Sequence, residues 1–179
     1  RHDYSLEPTG RTLLDALSES GLDVISVGKI SDVFAGMGVT EAIKTSGNTD
    51  GLAKTLAVQA KDFRGFAFIN LVDFDMLYGH RNDCDGYARA LTDFDAWLSG
   101  FLPHVGEDDL LVITADHGCD PSTPSTDHSR EYTPLLIYNP TISPQNLGTR
   151  PTFSDIAATV LNWLDLPTDM TAGKSLLLQ

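Results

Sequence analysis

The sequence predicts an α/β fold in which a mostly parallel sheet carries helices on both faces. Short apolar, β-rich runs alternate with amphipathic helical windows along the chain, as in successive βαβ units. The run at residues 66–72 is almost continuously apolar, which is typical of a parallel strand buried on both faces. No internal repeat or low-complexity segment interrupts this alternation. We therefore expect residues 1–179 to form a single α/β core.

The individual elements follow from periodicity and from the residues that end each segment. Leu13, Leu14 and Leu17 share one helical face, and Gly21 follows as a helix stop. In the longest helical window the apolar residues recur at the same spacing until Pro103, which cannot continue a helix. The predicted helices are residues 12–20, 48–63, 84–102 and 153–164, and the predicted strands are residues 23–27, 66–72, 110–114 and 135–138.

The composition excludes several functional classes. With 41% hydrophobic and 21% charged residues, the chain has the composition of a globular domain, not of a disordered one. The 12 Lys and Arg against 25 Asp and Glu give a net charge of −13, and such a field repels phosphate backbones, so we expect no nucleic-acid partner. The longest apolar runs fall far short of the roughly 20 residues that span a bilayer, so we expect no membrane partner.

Cysteine content and charge also constrain the environment and the ligand. Two cysteines do not make a disulfide framework, which favours a cytoplasmic location. An acidic surface suits cations. A site for an anionic substrate in this chain would therefore need local positive charge, either from side chains or from metal ions.

Asp and His side chains cluster where the ligands of such sheets bind, beyond the carboxyl ends of the strands. Three loops carry them, with Asp75 and His80 after one strand, Asp116 and His117 after the next, and His128 eleven residues further along. Carboxylate oxygens and imidazole nitrogens are donors that suit Zn²⁺ and Mn²⁺. Five donors exceed what one tetrahedral catalytic zinc takes from a protein, so the sequence predicts a two-metal site.

Each residue of this set also has an ordinary structural interpretation. A single histidine in a loop is commonly a surface or capping residue, Asp73 and Asp75 fit turn or N-cap positions, and Asp116 followed by Gly118 fits a plain turn. The coincidence of three loops at one edge favours the metal site. His2 and His104 have no such neighbours, and we expect them to be structural or exposed. Cys119 lies near the cluster, but a free loop cysteine is more often not a ligand.

Lys29 is the candidate for contacting an anionic substrate. It follows Gly28 at the end of the strand at residues 23–27, where its ammonium group and nearby backbone N–H groups could contact a phosphate. The upstream glycine spacing of a P-loop is absent, and a solvent-exposed lysine without a ligand is an equally good interpretation. Arg81 is a second candidate for contacting an anion.

Five strings are spread along most of the chain, from residue 28 to residue 164: GKISDVFAG, NLVDFDMLYGHRND, TADHGCDP, TDHSREYTPLLIYNP and FSDIAATVLNWL. Together they resemble the phosphopentomutases, a branch of the alkaline phosphatase superfamily of metalloenzymes. TADHG with a further histidine about eleven residues later is shared across that superfamily. The string VDFD followed by YGHRND is more specific to the phosphopentomutases. The resemblance implies an alkaline-phosphatase-like core.

The resemblance also implies an activity and a set of ligands. Phosphopentomutases are isomerases that interconvert the 1-phosphate and 5-phosphate of ribose or deoxyribose, using two Mn²⁺ ions and a phosphorylated threonine. By this resemblance, Asp75, His80 and His128 bind one ion. Asp116 and His117 bind the other, which the family completes with an upstream Asp and the phosphothreonine.

The resemblance covers the carboxyl-terminal part of the family's core. Lys29 matches a substrate-contacting lysine near the family's cap domain. The family's opening strand with its metal-binding Asp, its nucleophilic threonine and its cap domain find no match in the sequence. We expect residues 1–4 to be the point where the chain re-enters the core from the cap, and the core to be incomplete on its amino-terminal side. The chain alone is then expected to be inactive and, with this surface left open, either to associate with itself or to be only marginally stable.

Two other functions stay open. A cofactor-independent phosphoglycerate mutase, or a phosphatase or phosphodiesterase of the same superfamily, would share TADHG and the later histidine. A non-catalytic metal-binding module would keep the ligands without the nucleophile. Activity on a ribose phosphate would distinguish a phosphopentomutase from the other enzymes of the superfamily. An upstream Asp and Thr in the gene would exclude the non-catalytic module.

Overall fold

A computed structural model describes residues 5–177, so His2 and the expected re-entry point at residues 1–4 lie outside the described residues. The helices are α1 (Leu13–Glu19), α2 (Ile30–Val33), α3 (Asn48–Gln59), α4 (Cys84–Phe101) and α5 (Ser154–Trp163). The strands are β1 (Asp23–Val27), β2 (Glu41–Ile43), β3 (Gly65–Ile69), β4 (Leu111–Thr114) and β5 (Leu135–Tyr138). The chain divides into two compact units, and the expectation of a single core over residues 1–179 stays a prediction.

The first unit contains a three-stranded parallel sheet, and it comprises the described parts of residues 1–44, 61–70 and 143–179. The strand order is β2-β1-β3, and both pairs are parallel. Helices separate these strands along the chain, so the α/β class with a mostly parallel sheet is confirmed. The sequence analysis missed the short elements α2 and β2, because three or four residues are too few to show a periodicity.

The central strand of this sheet is β1 and not β3. The apolar run at residues 66–72 predicts a strand buried on both faces, whereas β3 lies at an edge of the described sheet and all its residues are only half-buried. Four of the five residues of β1 are buried. The aromatic rings of Phe66 and Phe68 pack on each other, with centroids 5.4 Å apart. Aromatic residues suit half-buried strands as well as central ones, so apolarity alone does not decide the position.

An aliphatic core joins α1, β1 and α5 within the first unit. Leu14, Leu17, Val24 and Leu161 are at most 1% exposed and belong to one cluster of packed side chains. Burying each of these side chains contributes about 1.5–3 kcal/mol. Helix α1 begins with a capping box in which the side chains of Thr12 and of the residue three positions later each bond to the other's backbone N–H group.

The second unit, residues 45–60 and 71–142, contains α3, α4 and a two-stranded ladder. Strands β4 and β5 pair antiparallel, with Leu111 opposite Tyr138 and Thr114 opposite Leu135. A parallel pair needs a crossover, usually a helix, and residues 115–134 form a helix-free loop. The parallel order therefore does not extend to this pair. None of the helices in residues 5–177 combines the length and apolarity needed to cross a membrane.

Candidate metal centre

Asp75 and His80 are carried by two consecutive tight turns in the second unit. Asp75 lies in a π-helical turn (Phe74–Tyr78), and His80 lies in the 3₁₀ turn that follows it at once (Gly79–Arg81). The sequence analysis treats this segment as a loop. The two turns place His80 Nε2 3.3 Å from Asp75 Oδ2. Single π-helical turns are rare in proteins, but many of those that do occur lie at functional sites.

The other oxygen of Asp75 faces His128. His128 Nε2 lies 3.2 Å from Asp75 Oδ1, yet this oxygen is buried and makes no hydrogen bond with any described residue. The distance is short enough for a hydrogen bond, but the geometry is not that of one. A buried carboxylate oxygen without a partner is unfavourable. A divalent cation bound by both the carboxylate and the imidazole would satisfy it, so these residues fit a metal ion.

His117 completes the group of candidate ligands. One ligand atom from each of Asp75, His117 and His128 lies within 4.8 Å of the other two. Three ligands held about 2.1 Å from one ion are about 3.4–3.6 Å from one another. Shifts of up to about 0.8 Å in each ligand atom would therefore let all three residues bind a single ion. The ring centroids of His117 and His128 are 3.6 Å apart, and those of His80 and His128 are 4.9 Å apart.

Backbone carbonyl groups set the tautomers of two of the histidines. His80 Nδ1 lies 2.5 Å from the carbonyl oxygen of Thr126, and His117 Nδ1 lies 3.1 Å from that of Gly118. A carbonyl oxygen can only accept, so Nδ1 carries the proton and donates it in both contacts. In the neutral form of such a ring, Nε2 presents its lone pair, as a metal ligand must. The ligand nitrogens are thus the ones that face the carboxylates.

The structure does not bring every predicted residue into this group. The Asp116 side chain is 82% exposed, and its Oδ2 lies 3.7 Å from His117 Nε2. The resemblance assigns His117 to a second ion with Asp116, whereas the geometry groups His117 with Asp75 and His128. The division of the five residues between two ions stays a prediction. Lys29 lies in the first unit, half-buried and directly before α2, and its role as a substrate contact also stays a prediction.

Comparison with known proteins identifies the family. A family model described as the metalloenzyme superfamily matches residues 1–168. The chain belongs to the metalloenzyme superfamily. Membership supports a dependence on divalent metal ions, in agreement with the cluster around Asp75.

Several curated proteins are similar to most of the chain. A phosphopentomutase of Lachnoclostridium phytofermentans is 58% identical over 168 residues, which are 93% of this chain and 43% of that protein. One of Carboxydothermus hydrogenoformans is 61% identical over 161 residues, 89% of this chain and 42% of that protein. One of Acetivibrio thermocellus is 56% identical over 178 residues, 99% of this chain and 46% of that protein. The resemblance to the phosphopentomutases is confirmed, and the chain spans less than half the length of these curated relatives.

Two further residues lie beside the metal centre, Cys119, which the sequence analysis placed near the cluster, and Tyr87, which it missed. Tyr87 on α4 packs on Phe74, with ring centroids 5.6 Å apart. Burial raises the pKa of the Tyr87 hydroxyl, and the nearby Cys119 and Asp75 raise it further. Burial also raises the pKa of the Cys119 thiol, with smaller contributions from Asp75 and Asp120. The position of Cys119 two residues after His117 gave a hint of this placement, whereas nothing in the sequence distinguishes Tyr87 from an ordinary helix residue.

Proposed function

We propose that this chain supplies the metal centre of a phosphopentomutase, an isomerase that interconverts the 1-phosphate and 5-phosphate of ribose or deoxyribose with two Mn²⁺ ions. The observation that supports it most directly is the Asp75 carboxylate, whose two oxygens face the Nε2 atoms of His80 and His128. The similarity to curated phosphopentomutases along almost the whole chain supports the substrate class.

The roles of the residues follow from charge and ligand chemistry. Asp75, His80 and His128 would hold one ion. Asp116 and His117 would hold the other. Bound divalent cations offset the negative charge of a phosphoryl group and lower the pKa of an attacking oxygen. Within this chain, the carbonyl groups that fix the histidine tautomers keep the ligand lone pairs available, so little reorganisation is needed when metal binds.

Other parts of the proposal concern what lies around this centre. Lys29 would bind the phosphate group that does not react. Because no residue of the chain matches the family's nucleophilic threonine, we expect no turnover by these 179 residues alone. The two cysteines are both free, which supports a cytoplasmic location. Self-association of the chain is also part of the proposal.

Titration calorimetry with Mn²⁺ tests the metal site. We expect the wild-type chain to bind Mn²⁺ with a dissociation constant well below 1 mM, and Asp75→Asn to weaken binding at least about tenfold because the shared carboxylate charge is lost. Asp127→Asn is the matched control, since it removes the same charge from an exposed position next to His128. This control should stay within about threefold of wild type.

Two results would contradict the proposal. One is a wild-type chain that binds no Mn²⁺ below 1 mM, and the other is an Asp75→Asn variant that binds as wild type does. Competition between ligands then tests the substrate class. The Mn²⁺-loaded chain is expected to bind ribose 5-phosphate more tightly than 3-phosphoglycerate, whereas a phosphoglycerate mutase would show the reverse order.

A further inference from the structure

Asn82 joins the two segments that carry the candidate ligands. It directly follows the 3₁₀ turn that contains His80. Its side-chain nitrogen Nδ2 lies within hydrogen-bond distance of three backbone carbonyl oxygens of one loop, those of Pro121 (3.2 Å), Thr123 (2.6 Å) and Ser125 (3.0 Å). The same loop leads to His128. A single amide group therefore contacts three residues of the loop that precedes His128 and links this loop to the turn that carries His80.

Both the backbone conformation of residue 82 and the hydrogen-bond acceptors around its side chain favour asparagine at this position. The backbone of Asn82 is left-handed, with φ of 52°, a conformation that Asn and Asp adopt more readily than other residues with a side chain. Carbonyl oxygens only accept hydrogen bonds, so the group between them must be a donor. Of the two residues that tolerate this backbone well, only Asn supplies N–H donors.

A second contact reinforces the same junction. His80 Nδ1 donates to the carbonyl oxygen of Thr126, the residue that follows the third acceptor of Asn82. Asn82 and His80 therefore hold the whole stretch from residue 121 to residue 126. His128 comes two residues later, so its imidazole has little freedom to leave the Asp75 carboxylate.

We propose that Asn82 is a positioning residue for the metal centre, whose amide fixes the loop at residues 121–126 so that His128 faces Asp75 before any metal binds. This inference rests on the proposed metal-binding function. The loop is rich in Pro, Ser and Thr and has no helix or strand of its own. Without the amide, metal binding itself would have to order this loop, and the entropic cost of that ordering would weaken the affinity.

The substitution Asn82→Asp tests this role with almost no change in shape. It keeps the tolerance for a left-handed backbone but places an oxygen against three carbonyl oxygens. We expect the dissociation constant for Mn²⁺, measured by calorimetry and by the EPR signal of free Mn²⁺, to rise about 10- to 100-fold. Asn82→Gly keeps the backbone freedom and only removes the donor, so we expect a rise of about tenfold.

Asn139→Asp is the matched control. The Asn139 side chain is buried, and its Nδ2 donates to the carbonyl oxygens of Glu107 and Asp109 at 2.7 and 2.8 Å. That loop lies at the opposite end of the β4–β5 ladder from His117 and carries no candidate ligand. We expect this variant to unfold at lower urea concentration than wild type, while the folded protein binds Mn²⁺ within about threefold of wild type.

A measurement on the wild-type chain does not depend on whether a variant folds. In EDTA, NMR should show the side-chain amide protons of Asn82 exchanging with solvent at least about tenfold more slowly than those of an exposed asparagine, because the contacts exist before metal binds. Fast exchange of these protons would overturn the inference, as would unchanged Mn²⁺ affinity in Asn82→Gly or an equal loss in Asn139→Asp. A wild-type chain that binds no Mn²⁺ would instead refute the proposed function.

Discussion

The buried carboxylate of Asp155 offers the sharpest test of what holds the first unit together. It lies at the start of α5 with its side chain 3% exposed. Its Oδ2 accepts a hydrogen bond from Arg150 Nε at 2.7 Å, and its Oδ1 accepts one from the backbone N–H of Lys174 at 2.9 Å. These two bonds tie the segments on either side of α5 to the beginning of that helix.

Asp155→Asn would break this arrangement without changing its size. The substitution removes the charge opposite Arg150, and it turns an N–H group toward one of two donors. Losing one partner of a buried ion pair costs about 3–5 kcal/mol. The Arg150 side chain is 26% exposed and can be partly solvated, so we expect the lower end, about 3 kcal/mol. For a chain of this size, that loss lowers the melting temperature by about 6–12 °C.

The pH dependence gives an independent check. The backbone hydrogen bond from Lys174 and the Arg150 side chain hold the pKa of Asp155 below its ordinary value. The ionised carboxylate therefore stabilises the fold at any pH above the unfolded-state value of about 3.9, and this stabilisation is lost as pH falls through the lower folded-state pKa. The difference in melting temperature between wild type and Asp155→Asn should be full at pH 7 and should shrink below about pH 4.

Differential scanning fluorimetry at pH 7 and at pH 3.5 would measure both effects. Asp169→Asn is the control, because it makes the same substitution at an exposed position of the same unit, and its effect should stay within about 0.5 kcal/mol. A fall of less than about 2 °C in Asp155→Asn at pH 7 would refute the reasoning. So would a difference from wild type that grows as the pH is lowered.

Two further predictions concern the loops of the metal centre. A Cβ atom at Gly118 would lie 2.6 Å from backbone atoms of Ser129 and Glu131. Gly118→Ala should therefore lower the free energy of unfolding, measured in urea, by about 1–3 kcal/mol. A Cβ atom at Gly100 on α4 would meet nothing within 4 Å, so Gly100→Ala should raise the free energy of unfolding by about 0.5–1 kcal/mol. Because burial and then Asp75 raise the pKa of the Cys119 thiol, iodoacetamide at pH 8 in EDTA should alkylate Cys119 more slowly than the exposed Cys84. Equal stabilities of the two alanine variants, or faster reaction at Cys119, would contradict these expectations.

The sequence predicts the regular elements well where their signals are local. The strand at residues 23–27 and the strand at residues 135–138 have the predicted bounds, and the helix predicted at residues 84–102 ends one residue earlier. The strands have short runs that are mostly apolar, and the helix has apolar residues at helical spacing up to the end signal Pro103. The antiparallel pairing of β4 and β5 was not predicted, because it depends on which strands are neighbours in space and not on the pattern within either strand.

The candidate site shows the same division between local and spatial information. The sequence predicts Asp75, His80 and His128 as ligands because their residue types suit metal ions and because they follow strands. The contacts that orient these side chains could not be predicted. Asn82 acts through carbonyl oxygens of residues 121–125, and every residue has a carbonyl oxygen, so the sequence carries no mark of the acceptors. The exposure of the Asp116 side chain depends on loop conformation, which no spacing rule fixes.

Charge links the metal centre to the substrate class that we propose. A pentose phosphate is an anion, and the chain carries a net charge of −13, so the overall field opposes its approach. The loops that hold the candidate ligands add to this field, since Asp75, Asp116, Asp120 and Asp127 all lie in them. Divalent cations bound by Asp75 and the histidines would reverse the local sign without changing the surface elsewhere. In the proposed function, metal binding is therefore a condition for substrate binding as well as for the chemistry, and any residue that positions the ligands acts on both.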